Sequence, residues 1–206
     1  MTRGIIAGVI AMAAIVVASN ILVQFLMGDW LTWGALTYPF AFLVTDLMNR
    51  LYGAAQARKV VLVGFVVGIG CSFIGTMIVV ETGPLVSLRI AIGSGAGFLV
   101  AQMSDVAVFN RLRNQNWWRA PVVSSIVGSA LDTVIFFSIA FSAMFVFLDP
   151  VEPNAWARDI VPFLGFGPEM PLWISLGVAD FGVKLGLVAI ALIPFKLLVN
   201  RFQPQV

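Results

Sequence analysis

Long apolar runs separated by short polar stretches set the pattern of this chain. A helix that crosses a bilayer needs about 20 mostly apolar residues. Six segments meet that length: 4–27, 31–49, 59–80, 85–109, 120–148 and 171–199. The expected fold is therefore all-α and integral to a membrane, with one domain over residues 1–206 built from six transmembrane helices. The first run follows Arg3 and far exceeds the apolar core of a signal peptide, about 7–15 residues, so it reads as a span. Between the last two helices lies the longest loop, 149–170, rich in Pro and Gly and carrying Trp156, Phe163 and Phe166. It reads as an interfacial loop with aromatic anchors or as a lid over an outward-facing site.

Composition agrees with the pattern. Of 206 residues, 60% are hydrophobic and 11% charged, against about 45–50% and about 25% in soluble domains. Mean hydropathy is +1.00, so lipid must be the solvent for much of the chain. The net charge is only +2, and nucleic acid is not an expected partner. The chain has no histidine, and its one cysteine is Cys71. That excludes a disulfide within the chain and a His- or Cys-rich metal site, and it removes the usual general base. No cofactor, no metal and no enzymatic activity are expected.

The positions of Lys and Arg orient the helices. With the N-terminus inside, the inner segments hold Arg3; Arg50, Arg58 and Lys59; Arg111, Arg113 and Arg119; and Lys196 and Arg201, while the outer loops hold only Arg158. The outer side also carries Asp29, Glu81, Asp149, Glu152, Asp159 and Glu169. Both termini are expected in the cytoplasm.

Charges left inside the spans carry the functional signal, because each costs about 2.5–3.5 kcal/mol near a helix centre. They are Asp46, Arg89, Asp105, Asp132, Asp180 and Lys184. At 1.5 Å rise per residue, Asp132 lies about 18 Å and Asp180 about 14 Å into their helices, near the midplane, where transporters hold substrate. Asp46 and Asp105 lie near inner helix ends, where an ion pair or helix-end bond is an equally good reading. Asp180 and Lys184, spaced i, i+4, can pair on one helix face. They read either as a neutralised pair that eases insertion or as a gating or ion-coupling pair.

Polar residues form stripes. Ser94, Phe98, Gln102 and Asp105 share one face of the fourth helix, and Ser125, Gly128, Ser129, Asp132 and Phe136 one face of the fifth. Asn20 and Gln24 are an i, i+4 amide pair on the first helix. Arg89 is about 160° from Asp105 on an ideal wheel, so the two share a face only if the helix is distorted. Single serines and glycines are usually packing devices, and the run Gly93, Gly95, Gly97 could pack helices within one chain or between chains of a homo-oligomer. Acids, amides and aromatic rings suit a flat, hydrogen-bond-rich, uncharged or cationic heterocycle better than a phosphate or carboxylate, which would want an arginine cluster. A cation pathway lined by acids is also compatible.

Several motifs then stand in one order: Ser19-Asn20 with Gln24; Thr32-Trp33-Gly34-Ala35-Leu36-Thr37-Tyr38-Pro39-Phe40 through Asp46, with Arg50, Tyr52-Gly53 and Ala57-Arg58; Arg89-Ile90-Ala91; Gln102 with Asp105; Val108 to Arg113; Trp117-Trp118 with Ala120-Pro121; Asp132-Thr133; and Asp180 with Lys184. In these the chain resembles the queuosine precursor transporters of bacterial inner membranes, within the vitamin uptake transporter group. The resemblance implies uptake of 7-cyano-7-deazaguanine and 7-aminomethyl-7-deazaguanine. It also implies a six-helix fold like the substrate-binding components of energy-coupling-factor transporters, working without an ATPase module. A guanine-type edge offers N1–H and an amine to a carboxylate, Asp132 or Asp105; its O6 wants a donor such as Asn20, Gln24 or Gln102; its ring wants Trp33, Phe40 or Phe98. Asp46 and Arg89 complete the candidate substrate site, with Asp180 and Lys184 as the gating or coupling pair.

Three other readings compete. A substrate-binding component served by separate ATPase and coupling subunits would have the same surfaces. An intramembrane enzyme conflicts with the absence of histidine. A cation channel conflicts with acids scattered one to a helix, unless an oligomer gathers them into a ring.

Overall fold

The computed structural model describes residues 3–28, 30–81 and 83–202, so Asp29, counted above among the outer acids, lies outside the described residues. The helices are α1 (Arg3–Leu22), α2 (Trp33–Thr37), α3 (Phe40–Tyr52), α4 (Ala54–Met77), α5 (Leu88–Leu112), α6 (Arg119–Phe141) and α7 (Leu172–Phe202). Five of them, α1, α4, α5, α6 and α7, are long and apolar enough to cross a membrane. Their outer faces are apolar: Ile10, Ile21, Val66, Phe73, Val134 and Leu197 are all exposed. Polar groups face inward instead, and Arg89, Gln102, Asn49, Thr45 and Asp105 are among the largest fully enclosed side chains. That inversion is what a hydrocarbon solvent demands, since a polar side chain is cheapest in the bundle interior.

The basic residues gather at one end. Arg50 at the end of α3 donates to the Arg113 carbonyl at the end of α5 (2.6 Å), and Arg113 donates back to the Arg50 carbonyl (3.3 Å). Lys196 of α7 sits 4.9 Å from the Trp117 ring centre ahead of α6, and Gly4 of α1 abuts Tyr52. We call this the basic end.

The most extensive helix contact is α5 with α6, and it runs over small residues. A Cβ on Gly93 would lie 3.2 Å from the Phe136 carbonyl, and one on Gly97 would lie 2.9 Å from Asp132 Oδ1. Gly95 turns the other way, towards Ile69 of α4. The glycine run thus packs helices within the chain, on two faces of α5. That helix stays regular, so Arg89 and Asp105 remain apart.

Four expected helices differ; the one expected at 59–80 runs Ala54–Met77 and gives way to Val79–Val80, which pairs with Gly83–Pro84. The first ends at Leu22, not 27, because Leu26–Met27 pairs antiparallel with Leu31–Thr32 around Gly28, whose φ of 70° suits a residue without Cβ. Gln24 therefore sits exposed in a turn, and the expected helical Asn20–Gln24 pair does not form. The helix expected at 31–49 is broken into α2 and α3 at Tyr38-Pro39. Pro39 has no N–H to continue the ladder, and Ala41 and Phe42 bond instead to the Tyr38 and Pro39 carbonyls three residues back. The helix expected to reach 148 stops at Phe141, where Ser142 turns extended and its hydroxyl accepts from Met144 N–H (3.2 Å), leaving a short 3-10 turn over Ala143–Leu148.

The 149–170 loop is anchored. Asn154 is buried and its amide donates to Ser87 Oγ (2.6 Å) and the Ala140 carbonyl (3.3 Å). Ile160–Pro162 pairs with Glu169–Pro171, and Ser175 Oγ of α7 accepts from Leu164 N–H (3.1 Å). Trp156 packs edge-on against Phe141, while Phe166 is 88% exposed.

Candidate substrate and coupling site

Two polar layers cross the interior, joined by the stripes of α5 and α6. The first is centred on Lys184 of α7. Its ammonium donates to Asp132 Oδ2 (2.7 Å), Asp180 Oδ2 (2.6 Å) and Thr133 Oγ1 (3.2 Å). Those three bonds use all its hydrogens. Thr133 in turn donates to Asp180 Oδ2 (2.9 Å). The other oxygen of Asp132 accepts a long bond from the Tyr38 hydroxyl (3.5 Å), and the ammonium lies 5.8 Å from the Tyr38 ring centre. Lys184 is only 3% exposed. A buried ion loses its hydration and is tolerated only with partners of this quality. Two carboxyls serve one ammonium here, so one can leave while the other holds it.

The second layer lies nearer the basic end. Asp46 of α3 accepts from Ser124 Oγ (3.2 Å) and Ser125 Oγ (3.3 Å) of α6. Asp105 of α5 lies against Asp46 and Ser124, yet neither of its oxygens receives a well-formed hydrogen bond. Thr45 donates to Gln102 Oε1 (2.6 Å) and Asn49 to the Val106 carbonyl (3.0 Å), locking α3 to α5 on either side of the acids. From Ser125 to Asp132 is seven residues, or about 10 Å along α6.

A cavity adjoins each layer. One, of about 290 Å³, is lined by Asn20 of α1, Tyr38, Phe65 and Ser72 of α4, and Ser94 and Phe98 of α5. The other, of about 390 Å³, lies towards the basic end among Pro39, Phe40, Asp46, Ser125, Leu187 and Phe195. Tyr38 and Pro39, where the helix breaks, separate the two.

The residues expected to bind a substrate are thus divided. Asn20 and Phe98 line the first cavity, although the Asn20 amide also donates to the Val16 carbonyl (2.9 Å). Phe40 and Asp46 line the second. Asp132 stands behind Tyr38, paired with Lys184 as Asp180 is. Gln102 and Asp105 are buried between α3 and α5 and line neither cavity. Trp33, 48% exposed, and Gln24 line neither as well. Arg89 is far from all of them. It is fully buried and donates to the Ile139 carbonyl (3.0 Å) and to the Ser142 carbonyl at the end of α6. Sequence reasoning passed over Tyr38 and Thr133 as functional groups. Their signals were their neighbours: a proline after one and a midplane acid before the other.

A profile of the vitamin uptake transporter family matches residues 32–199. A "Probable queuosine precursor transporter" of Haemophilus influenzae is 38% identical over 168 residues, covering 76% of this chain and 69% of that protein. The "Queuosine precursor transporter" of Escherichia coli is 36% identical over 141 residues, 62% of this chain and 64% of that protein. A Bacillus subtilis protein, also named a probable queuosine precursor transporter, is 29% identical over 138 residues, 58% of this chain and 60% of that protein. The matches to the last two therefore span less than two thirds of their lengths. No solved structure matches the chain.

Proposed function

We propose that this chain, which belongs to the vitamin uptake transporter family, imports queuosine precursors, 7-cyano-7-deazaguanine and 7-aminomethyl-7-deazaguanine, across the bacterial inner membrane as a secondary transporter. The names of its relatives support the cargo. One structural observation carries the mechanism: an aromatic and amide-lined cavity meets, across Tyr38, a carboxylate whose ammonium partner has a second carboxylate to hold it.

In this reading the broken helix α2–α3 makes the sixth crossing, both termini are cytoplasmic, and the bundle resembles the substrate-binding components of energy-coupling-factor transporters. The basic end faces the cytoplasm, so the 290 Å³ cavity belongs to the outer half. The heterocycle lies against Tyr38 and Phe98, whose rings meet edge-on at 6.0 Å and must part to admit it, with the Asn20 amide and the Ser72 and Ser94 hydroxyls on its polar edge. Movement of Tyr38 then brings the ligand's N1–H and amine to Asp132. Asp180 and Thr133 retain the Lys184 ammonium meanwhile, so the cation is not stranded. Passage beyond Pro39 delivers the ligand to the cavity at Phe40 and Asp46. A discontinuous helix at the midplane is a usual place for such a site, and the break supplies the hinge.

The test uses cells that cannot make the precursors and lack this transporter's relatives. Expression of the chain should restore queuosine in tRNA when either deazaguanine is fed. Failure with every precursor would refute the cargo.

A further inference from the structure

The second layer enters that cycle only where Asp46 lines the inner cavity, and its two carboxyls have no cation bonded to them among the described residues. Asp46 accepts from two serine hydroxyls and lies against Asp105. Asp105 is fully enclosed and lacks a well-formed bond at both oxygens. One other enclosed acceptor a helical turn away is also unpartnered: Asn49 Oδ1, three residues after Asp46. Carboxyls enclosed with this little hydrogen bonding have room for a proton.

The surrounding charges have other commitments. Arg50 of α3, whose field acts on Asp46, donates to the Arg113 carbonyl and lies over the Phe109 ring at 5.2 Å. Arg113 of α5 donates to the Arg50 carbonyl. Lys184 of α7 is held by Asp132 and Asp180. Tyr52, Arg58, Lys59, Arg111 and Lys196 are exposed, as is Arg119 at the start of α6, and the groups of α6 that reach the acids are hydroxyls.

A file of polar side chains spans the two layers: Ser125, Ser129 and Asp132 follow one face of α6 at steps of four and three. Ser129 is fully buried and its hydroxyl is bonded to neither neighbour, so a proton crosses here when a side chain turns or a water bridges the gap. Asp46 opens onto the cavity at the basic end, which supplies the exit.

We propose that Asp46 and Asp105 together carry the coupling proton. It enters from the Asp132 layer through Ser129, is shared between the two carboxyls, and leaves by the inner cavity. The assignment rests on the transporter reading and moves coupling away from Asp180 and Lys184, which become a holding pair.

The test is done on the purified full chain in liposomes with labelled 7-cyano-7-deazaguanine. Exchange without any gradient reports carrier function, and accumulation under an imposed pH gradient reports coupling. One pH unit can sustain about tenfold accumulation per proton. For the native chain both should be seen, with a pyranine signal for proton entry. Asp105→Asn should keep exchange and lose accumulation, and Asp105→Glu should regain it. Accumulation by Asp105→Asn at the native level overturns the proposal, as does native accumulation driven by a sodium gradient and not by pH. If Asp105→Asn does not insert, Ser129→Ala carries the test. Accumulation slowed relative to exchange supports the route, and an unchanged ratio overturns it. Absence of exchange in the native chain instead refutes the cargo.

Discussion

The Tyr38 hydroxyl reaches 3.5 Å to Asp132 from the residue immediately before the Pro39 break, so the hinge of one helix touches the ion pair of two others. A contact at the limit of hydrogen-bond distance contributes little to stability, about 1 kcal/mol or less. Tyr38→Phe keeps the ring on the cavity wall and removes only the link. Ligand affinity, measured by titration calorimetry, should change little, while the initial uptake rate should fall. Equal loss of both would place the hydroxyl in ligand binding.

Asp132→Asn leaves Lys184 with Asp180 and Thr133. The variant should fold and insert at native levels but lose uptake. Survival of uptake at normal expression would remove Asp132 from the site.

Lys184→Met strands two carboxyls that share one cation. Removing one member of a buried ion pair costs about 3–5 kcal/mol, so its thermal unfolding in detergent should come far earlier than that of Asp132→Asn. Adding Asp132→Asn and Asp180→Asn to Lys184→Met should recover much of the loss. Absence of recovery would show that the lysine stabilises by packing.

Gly97→Ala and Gly95→Ala separate function from fit. A methyl at Gly97 would meet Asp132 Oδ1 at 2.9 Å, whereas one at Gly95 would meet the flexible end of Ile69 at 2.7 Å. Uptake should drop strongly in the first and little in the second, with similar amounts of folded protein. The opposite order would contradict the placement of α5 on α6.

Arg89→Met removes two bonds to the Ile139 and Ser142 carbonyls. Bonds from a charged donor are each worth about 1.5–3 kcal/mol. The midpoint of thermal unfolding should fall sharply, and affinity for ligand in the remaining folded fraction should not change. A selective loss of affinity would return Arg89 to the binding site.

The polar interior was legible because burial on a regular helix obeys spacing. Ser94, Phe98, Gln102 and Asp105, and likewise Ser125, Ser129 and Asp132, fall on stripes at steps of three and four, and the folded chain turns both stripes inward. Breaks in helices were harder to read. Hydropathy is blind to a missing N–H, so the run 31–49 looked continuous across Pro39. It also continued past Leu22, where a hairpin takes over and strips Gln24 of its helical partner. Arg89 shows a third limit. Its wheel position argued against Asp105, but the carbonyls it binds belong to α6, and spacing along one helix says nothing about a neighbour's end.

The anchoring of the long loop has a mechanical consequence. Asn154 ties it to the cap of α5 and to α6, Arg89 ties α5 to the end of α6, and Ser175 ties the loop to α7. That face of the molecule is a braced frame. If the two cavities open by turns, the stroke must be taken by the unbraced side, where the hinge at Pro39 lets α1 and α2 swing against a wall that stays still.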